Sequence, residues 1–155
     1  MNNFDWTGWS HWVGLETLDL KTIPKTAGAY VIATDKPINR AVGTDPLGFL
    51  DVGESSELNG RLRSFKRCAF QRDVTGHMAG WRYAFFNFKM HFSHTSLRVR
   101  WFSTESKEKA YAAERRVLVE YLKAHCELPP LNYKFNWDEF EEMQVFFAAL
   151  ADATN

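Results

Sequence analysis

The stretch FLDVGESSELNGRLRSF, residues 49–65, predicts a strand that passes into a helix. An apolar run over about residues 47–52 reads as the strand, and Gly53 ends it. The run contains one aspartate, Asp51, which is unusual for a buried strand. Ser55 or Ser56 can cap the helix that follows, because a serine hydroxyl accepts a hydrogen bond from free backbone N–H groups at a helix start.

The predicted helix carries one arginine on its apolar side. Its apolar stripe consists of Leu58, Leu62, Phe65 and Ala69. Arg61 lies three residues after Leu58 and four before Phe65, so it falls on that side, whereas Arg63 does not. An arginine among apolar side chains is unusual, so the functional prediction starts from this strand and helix.

Composition indicates a single domain. The 155 residues, of which 45% are hydrophobic and 25% charged, can bury one good core but are too few for two ordinary domains. Two cysteines, Cys68 and Cys126, cannot form a disulfide framework, which favours a reducing cytoplasm. The first residues lack a basic leader, and no stretch approaches the roughly 20 apolar residues that span a bilayer, so we expect no membrane association.

The formal net charge of zero hides a segregation along the chain. Residues 58–101 carry nine Lys or Arg against one Asp or Glu, a balance of +8. Residues 1–57 carry four against eight, and residues 102–155 carry six against ten, which is −4 each. A local basic surface attracts phosphates even on a neutral protein, although a solvated charged face is the alternative.

Outside the central unit, the patterns predict two more strands and three more helices. The strands cover residues 28–34 and about 96–102, and the helices cover about 79–92, 106–125 and 137–151. Trp6, Trp9 and Trp12 predict a short helix or turn, in an extension over residues 1–25, that packs on the core.

Glu114 is the most informative position, because it lies within the apolar stripe of helix 106–125. An inward carboxylate must pair, accept hydrogen bonds or bind a cation, since removing an ionised group from water is otherwise costly. A buried ion pair with Arg61 is one possibility, and a functional site is the other.

Taken in order, these elements resemble the GIY-YIG nuclease family. The matching fragments are GAY at 28–30, DVGESSELNGRL at 51–62, AAERRVLVEYL at 112–122 and LN at 131–132. The resemblance covers about residues 26–133 and includes an arginine eight residues after the second glycine. It implies an α+β fold, with a small three-stranded antiparallel sheet flanked by helices and with N- and C-terminal extensions.

The resemblance also implies a phosphodiesterase site that uses one divalent ion, Mg²⁺ or Mn²⁺. Glu114 would be the metal ligand and Arg61 would face the scissile phosphate. Tyr30 would position or deprotonate the attacking water, and Asn132 would help to order the site. Arginine and a carboxylate suit these roles because a guanidinium binds phosphate oxygens in pairs, and Mg²⁺ often needs only one or two protein carboxylates.

The chain departs from the family pattern at two positions. Asp51 stands where the second strand usually has tyrosine, and Phe65 stands where a histidine often follows the arginine by four residues. Asp51 could replace the missing group as a base or a second metal ligand, or it could mark a site that has lost activity. His77, in TGHMAGWRY, is the candidate replacement proton carrier, unless it is an incidental histidine of a surface loop.

The sequence therefore predicts a metal-dependent endonuclease that cleaves DNA, with RNA not excluded. The residues expected to contact the substrate backbone are Arg63, Lys66, Arg67, Arg72 and Arg82. Trp81, Tyr83 and the neighbouring phenylalanines could stack on bases or pack in the core. The alternatives are a catalytically inactive nucleic-acid-binding module on the same fold, or an interaction module that uses the tryptophan-rich N-terminus.

Overall fold

A computed structural model describes residues 4–71 and 75–134, which form a mixed α+β fold. Within these ranges there are six strands and three α-helices. The strands are β1 (Val13–Gly14), β2 (Ala27–Thr34), β3 (Ile38–Asn39), β4 (Thr44–Asp45), β5 (Phe49–Ser55) and β6 (Leu97–Thr104). The helices are α1 (Leu58–Gln71), α2 (Met78–Phe85) and α3 (Lys107–His125). The predicted helix 137–151 and Arg72 lie outside the described residues.

An antiparallel sheet organises the molecule. Its strand order is β1-β6-β2-β5, so β2 is central and β5 is an edge strand, while β3 and β4 form a separate two-stranded ribbon. The sequence predicted three strands, and that count was wrong because Val13–Gly14 of the N-terminal extension pairs with Val99 and Arg98. The β3–β4 ribbon lies in the long connection between β2 and β5.

The two faces of the sheet build two apolar clusters, because side chains alternate along a strand. Tyr30 and Ile32 of β2 belong to the cluster that includes Leu58, Leu62 and Phe65 of α1. Val31 and Ala33 belong to the other cluster, which includes Val117, Leu118 and Tyr121 of α3. Helix α1 therefore covers one face of the sheet and helix α3 covers the other.

A β-bulge interrupts this alternation in β5. Ile32 pairs with Asp51 while the next residue of β2, Ala33, pairs with Phe49, so Leu50 is the extra residue. Phe49 faces α3, but Leu50 belongs to the α1 cluster. Asp51, opposite Ile32, lies on that same α1 face. Strict alternation from Phe49 would have directed Asp51 toward α3 instead.

Helix α2 ends earlier than predicted. The aromatic pattern predicted a helix over about residues 79–92, but α2 ends at Phe85 and a single 3-10 turn follows at Phe88–Met90. Asn87 between them has φ of 57°, in the left-handed region that interrupts a right-handed helix. The left-handed residue therefore separates α2 from the 3-10 turn.

The tryptophan-rich N-terminus packs on the sheet as a turn, as predicted. Trp6 and Trp12 meet Phe49 edge-on, and Trp9 stacks on Phe102. The guanidinium groups of Arg98 and Arg100 lie 4.6 Å and 4.2 Å from the ring centroids of Trp12 and Trp6. No helix among the described residues is long and apolar enough to cross a membrane.

Candidate functional site

One cavity collects residues from six separate parts of the chain. It has a volume of about 90 Å³ and lies beside the edge strand β5. Six residues singled out from the sequence line it, namely Tyr30, Asp51, Arg61, His77, Glu114 and Asn132. Tyr30 and Asp51 come from the sheet face that α1 covers, whereas Glu114 comes from α3 on the other face, so residues of both faces meet in the cavity beside the edge strand β5.

Tyr30 reaches the cavity by lying across Gly53. Gly53 pairs with Tyr30 in the sheet, and a Cβ atom added there would overlap the tyrosine hydroxyl. The glycine is therefore required by the close approach of this ring and not by a turn, since β5 continues through it to Ser55. Burial raises the pKa of the Tyr30 hydroxyl well above its ordinary value.

The Tyr30 hydroxyl lies between two partners, Asp51 and His77. Its oxygen is 3.2 Å from Asp51 Oδ2 and 3.0 Å from His77 Nε2. His77 is the N-cap of α2, where its Nδ1 accepts the Gly80 N–H at 3.4 Å. Nδ1 therefore carries no proton, and a neutral ring donates through Nε2 to Tyr30, which in turn donates to Asp51.

His77 does not lie on a surface loop. Only 3% of its surface is exposed, and burial followed by the charge of Arg61 lowers the pKa of its imidazole well below the ordinary value. Its ring also meets Phe65 edge-on with 5.1 Å between centroids. An imidazole from α2 thus lies against the position on α1 where the family pattern has a histidine.

Asp51 is buried, and its carboxyl group is poorly solvated. Desolvation raises its pKa to about 7, although Arg61, the hydrogen bond from Tyr30 and Arg82 oppose the shift. The bulge at Leu50 brings the side chain to the Tyr30 face. A carboxyl group with this pKa can exchange a proton near neutral pH.

Glu114 is buried without a neutralising partner. It is 4% exposed, and within residues 4–71 and 75–134 it makes no hydrogen bond and no ion pair. Burial and, after it, the charges of Glu54 and Asp51 raise its pKa to about 8, although the charge of Arg61 opposes the shift. The alternative of a buried Arg61–Glu114 ion pair is therefore not seen in the described part of the chain.

Sequence reasoning missed Glu54. It lines the cavity, and its Oε2 is buried without a hydrogen-bond partner in the described residues. Glu54 lies two residues after Val52, whose side chain faces α3, so the alternation of β5 turns it toward Glu114. The alternation of side chains along β5 could have indicated the face on which Glu54 lies. It does so only when the position of the bulge, before Val52, is known.

Arg61 and Asn132 complete the wall. The Nε atom of Arg61 is buried without a hydrogen-bond partner among the described residues. The Asn132 side chain accepts from the Val52 N–H at 2.9 Å and donates to the Val52 carbonyl at 2.8 Å. It thus pairs with the free edge of β5 next to Asp51, as another strand would, and holds that edge in place.

The described basic residues of segment 58–101 contact different parts of the molecule. Arg82 lies close enough to lower the Asp51 pKa, but Arg63 and Lys66 donate hydrogen bonds to Asn59 and to the carbonyls of Glu16 and Leu18. Arg67 donates weakly to the Thr75 carbonyl. None of Arg63, Lys66 and Arg67 lines the cavity, and Arg98 and Arg100 support the tryptophans.

Comparison of the chain with models of known families, with characterised proteins and with solved structures finds no match. Within residues 4–71 and 75–134, no group of three or more His, Cys, Asp or Glu side chains is arranged to hold a metal ion. The site must therefore be interpreted from its own geometry, and any metal there would depend on fewer protein ligands.

Proposed function

We propose that this protein is a metal-dependent endonuclease that hydrolyses phosphodiester bonds in DNA, as its resemblance to the GIY-YIG nucleases implies. The observation that carries the proposal is the buried carboxyl group of Glu114, which has no partner within residues 4–71 and 75–134 and lines the cavity that also holds Tyr30 and Arg61. A stable fold gains nothing from an unpartnered buried acid, because its desolvation is not repaid. A ligand that brings positive charge would account for it.

The carboxylates of the cavity fit a divalent cation that keeps most of its water. Glu114 has no partner among the described residues, and Glu54 has a buried oxygen without one. Mg²⁺ and Mn²⁺ are commonly held by one or two carboxylates plus water and phosphate oxygens, so a three-residue cluster is not required. The bound ion would neutralise charge on the phosphate and on the leaving oxygen. Glu114, with Glu54 beside it, would hold the ion.

Arg61 is suited to bind the scissile phosphate. Its guanidinium lines the cavity and forms no ion pair with Glu114. A guanidinium stays charged and can donate two parallel hydrogen bonds to phosphate oxygens, which also orients them. In a partly buried cavity this charge stabilises the transition state more strongly than it would in water.

Tyr30 and Asp51 together provide a path for the proton of the attacking water. The Tyr30 oxygen takes a proton from water while its own proton moves to Asp51 Oδ2, 3.2 Å away. Water loses a proton, the tyrosine stays neutral and the aspartate gains a proton, so charge is conserved. This path avoids forming a free tyrosinate, which the raised pKa of Tyr30 makes unfavourable.

His77 serves as a positioning residue in this scheme. Its Nδ1 is occupied by the Gly80 N–H, so the ring proton on Nε2 points at the Tyr30 oxygen. That donation leaves the tyrosine proton directed at Asp51. The geometry thus favours a role in orienting Tyr30 over the proton-carrier role that the sequence suggested.

Cleavage by a Glu114→Gln variant tests the proposal. Plasmid and single-stranded DNA are incubated with each protein in Mg²⁺ or Mn²⁺, and with the wild type in EDTA. We expect Glu114→Gln to lose at least about a thousandfold in rate, because it keeps the shape but loses the charge that holds the ion. Glu120→Gln, on the same helix but paired with Lys123 at the surface, is the matched control and should cleave normally. Equal cleavage by the wild type and Glu114→Gln would overturn the proposal.

The inactive binding module remains the second candidate, because Asp51 and Phe65 replace groups that the family uses. It predicts DNA binding that weakens steeply with salt, no cleavage with either ion, and little change on Glu114→Gln. Binding without cleavage in the same assay would favour it.

A further inference from the structure

A second hollow adjoins the cavity and is lined by different chemistry. It has a volume of about 320 Å³ and is lined by Gly76, His77, Met78 and Trp81. His77 and Met78 also line the cavity of Glu114, so the two spaces share a wall. Its volume falls in the range of about 300–1,000 Å³ that small ligands occupy, whereas the first cavity is smaller and more polar.

Aromatic side chains lie in the open beside this hollow. Trp81 and Phe85, one turn apart on α2, stack with 4.7 Å between centroids, and Phe86 meets Trp81 edge-on at 5.8 Å. Phe85 and Phe86 are 54% and 58% exposed, and Met78 is 49% exposed. Tyr83, by contrast, is buried in the core. The sequence left base stacking and core packing open for these rings; the structure packs Tyr83 in the core and leaves Phe85 and Phe86 exposed.

Positive charge joins the aromatic surface to the cavity. The guanidinium of Arg82 lies 5.7 Å from the Phe86 ring centroid and 6.0 Å from that of Tyr133. It is also near enough to Asp51 to lower the pKa of that carboxyl group. Rings that stack on bases, next to a cation that attracts the backbone, are the combination that binds single strands.

We propose that the hollow beside Trp81 receives an unpaired nucleobase next to the scissile phosphate, so that the substrate is single-stranded DNA. This rests on the proposed function for the position of the scissile phosphate. In a duplex the base faces are covered by their neighbours and cannot meet Trp81 or Phe85. A protein partner could also bind the exposed rings. The positive charges of Arg82 and Arg61 close to them, however, fit the phosphates of a nucleic acid better.

The test measures binding in EDTA, where cleavage cannot interfere. A labelled oligonucleotide is titrated with protein, as a single strand and as a perfect duplex, and fluorescence anisotropy is recorded. We expect the single strand to bind at least about tenfold more tightly, and Trp81→Ala to weaken it about fivefold or more without changing duplex affinity. Phe85→Ala should weaken it less, and Trp81→Phe should restore most of the affinity because it keeps a ring.

Two controls keep the outcome clear. Met90→Ala removes an apolar side chain that is 71% exposed but borders neither space, and it should bind as the wild type does. Circular dichroism confirms folding of each variant. Equal or tighter binding of the duplex, or unchanged single-strand binding by both Trp81→Ala and Phe85→Ala, would overturn the inference. Because no cleavage is measured, single-strand preference would survive even if Glu114→Gln shows the nuclease proposal to be wrong.

Discussion

Two buried acids, Asp45 of β4 and Glu114 of α3, have opposite environments. Asp45, fully buried, accepts the backbone N–H groups of Leu47, Gly48 and Phe49 at 2.9, 3.1 and 2.6 Å. The Tyr121 hydroxyl lies 3.2 Å from its Oδ2. Asp45 thus has four donors and is a structural group that fixes the connection between β4 and β5.

Glu114 lies on α3, two turns before Tyr121, and its surroundings differ from those of Asp45. Among the described residues it makes no hydrogen bond or ion pair, and its nearest charges include the carboxyl groups of Glu54 and Asp51. Burial alone does not separate the two acids, because both are almost fully covered. The difference in hydrogen bonding shows that Asp45 serves the fold, and it supports the proposal that Glu114 serves a ligand.

The largest expected effect comes from removing the satisfied acid. Asp45→Ala should lower the free energy of unfolding by about 3–5 kcal/mol, because three buried N–H groups and the Tyr121 hydroxyl lose their acceptor. Denaturant unfolding measures it. Asp35→Ala, at an exposed carboxylate nearby, is the matched control and should change stability by less than about 0.5 kcal/mol. A similar loss of unfolding free energy in both variants would show that Asp45 is not the structural acid that the comparison with Glu114 assumes.

A change at Asp51, the proposed proton acceptor of the cavity, should be seen above all in the rate of cleavage. Asp51→Asn should lower the cleavage rate about a hundredfold, because the amide can still accept from Tyr30 but cannot take its proton. Initial rates on DNA in Mg²⁺ measure it, with unfolding curves showing that the variant is folded. An unchanged rate would show that Asp51 is not the acceptor.

A third expected effect is a gain in stability, opposite in sign to that of Asp45→Ala. Burial raises the pKa of Glu114 to about 8, above its value in the unfolded chain, so the unfolded state releases a proton first as pH rises. The wild type therefore loses stability between about pH 4.5 and pH 8. Glu114→Gln should be about as stable at pH 4.5 but more stable by roughly 2 kcal/mol at pH 6 and roughly 4 kcal/mol at pH 8, since each unit of pKa difference contributes about 1.4 kcal/mol.

This pH series is measured by denaturant unfolding in EDTA, so that no ion compensates the charge. Glu120→Gln, at a surface carboxylate of the same helix, should follow the wild type throughout. A Glu114→Gln variant that is less stable than the wild type at pH 8 would mean that the carboxylate has a stabilising partner after all.

Much of the local structure could be predicted from the sequence. The strand at β2, the helix over residues 106–125 and the inward side of Arg61 and Glu114 follow from periods of two and 3.6 residues, which local sterics impose. The predicted end of α2 was wrong. The aromatic spacing continues past Asn87, but the backbone leaves the right-handed helical conformation there. The fourth strand was missed, since two residues carry too little pattern to be recognised.

The site was harder to predict, because its parts meet only through packing. His77 looks like a loop residue until α2 docks on α1 and directs the ring to Tyr30. The basic segment looks like one surface until β6 turns Arg98 and Arg100 toward the tryptophans. Charge counted along the chain cannot show which face a side chain occupies.

By itself, the sequence determined the order of strands and helices and the placement of a glutamate and an arginine on apolar faces, because hydrophobic periodicity is a local property. Only the tertiary structure decided that Asp51 faces Tyr30 and that Glu114 has no partner in the described residues. The orientation of Asp51 depends on the bulge at Leu50, which reverses the alternation of β5. The lack of a partner for Glu114 depends on where the hydrogen-bond donors and cations of the other described residues lie. Both are consequences of contacts between residues distant in the chain, which no local pattern records.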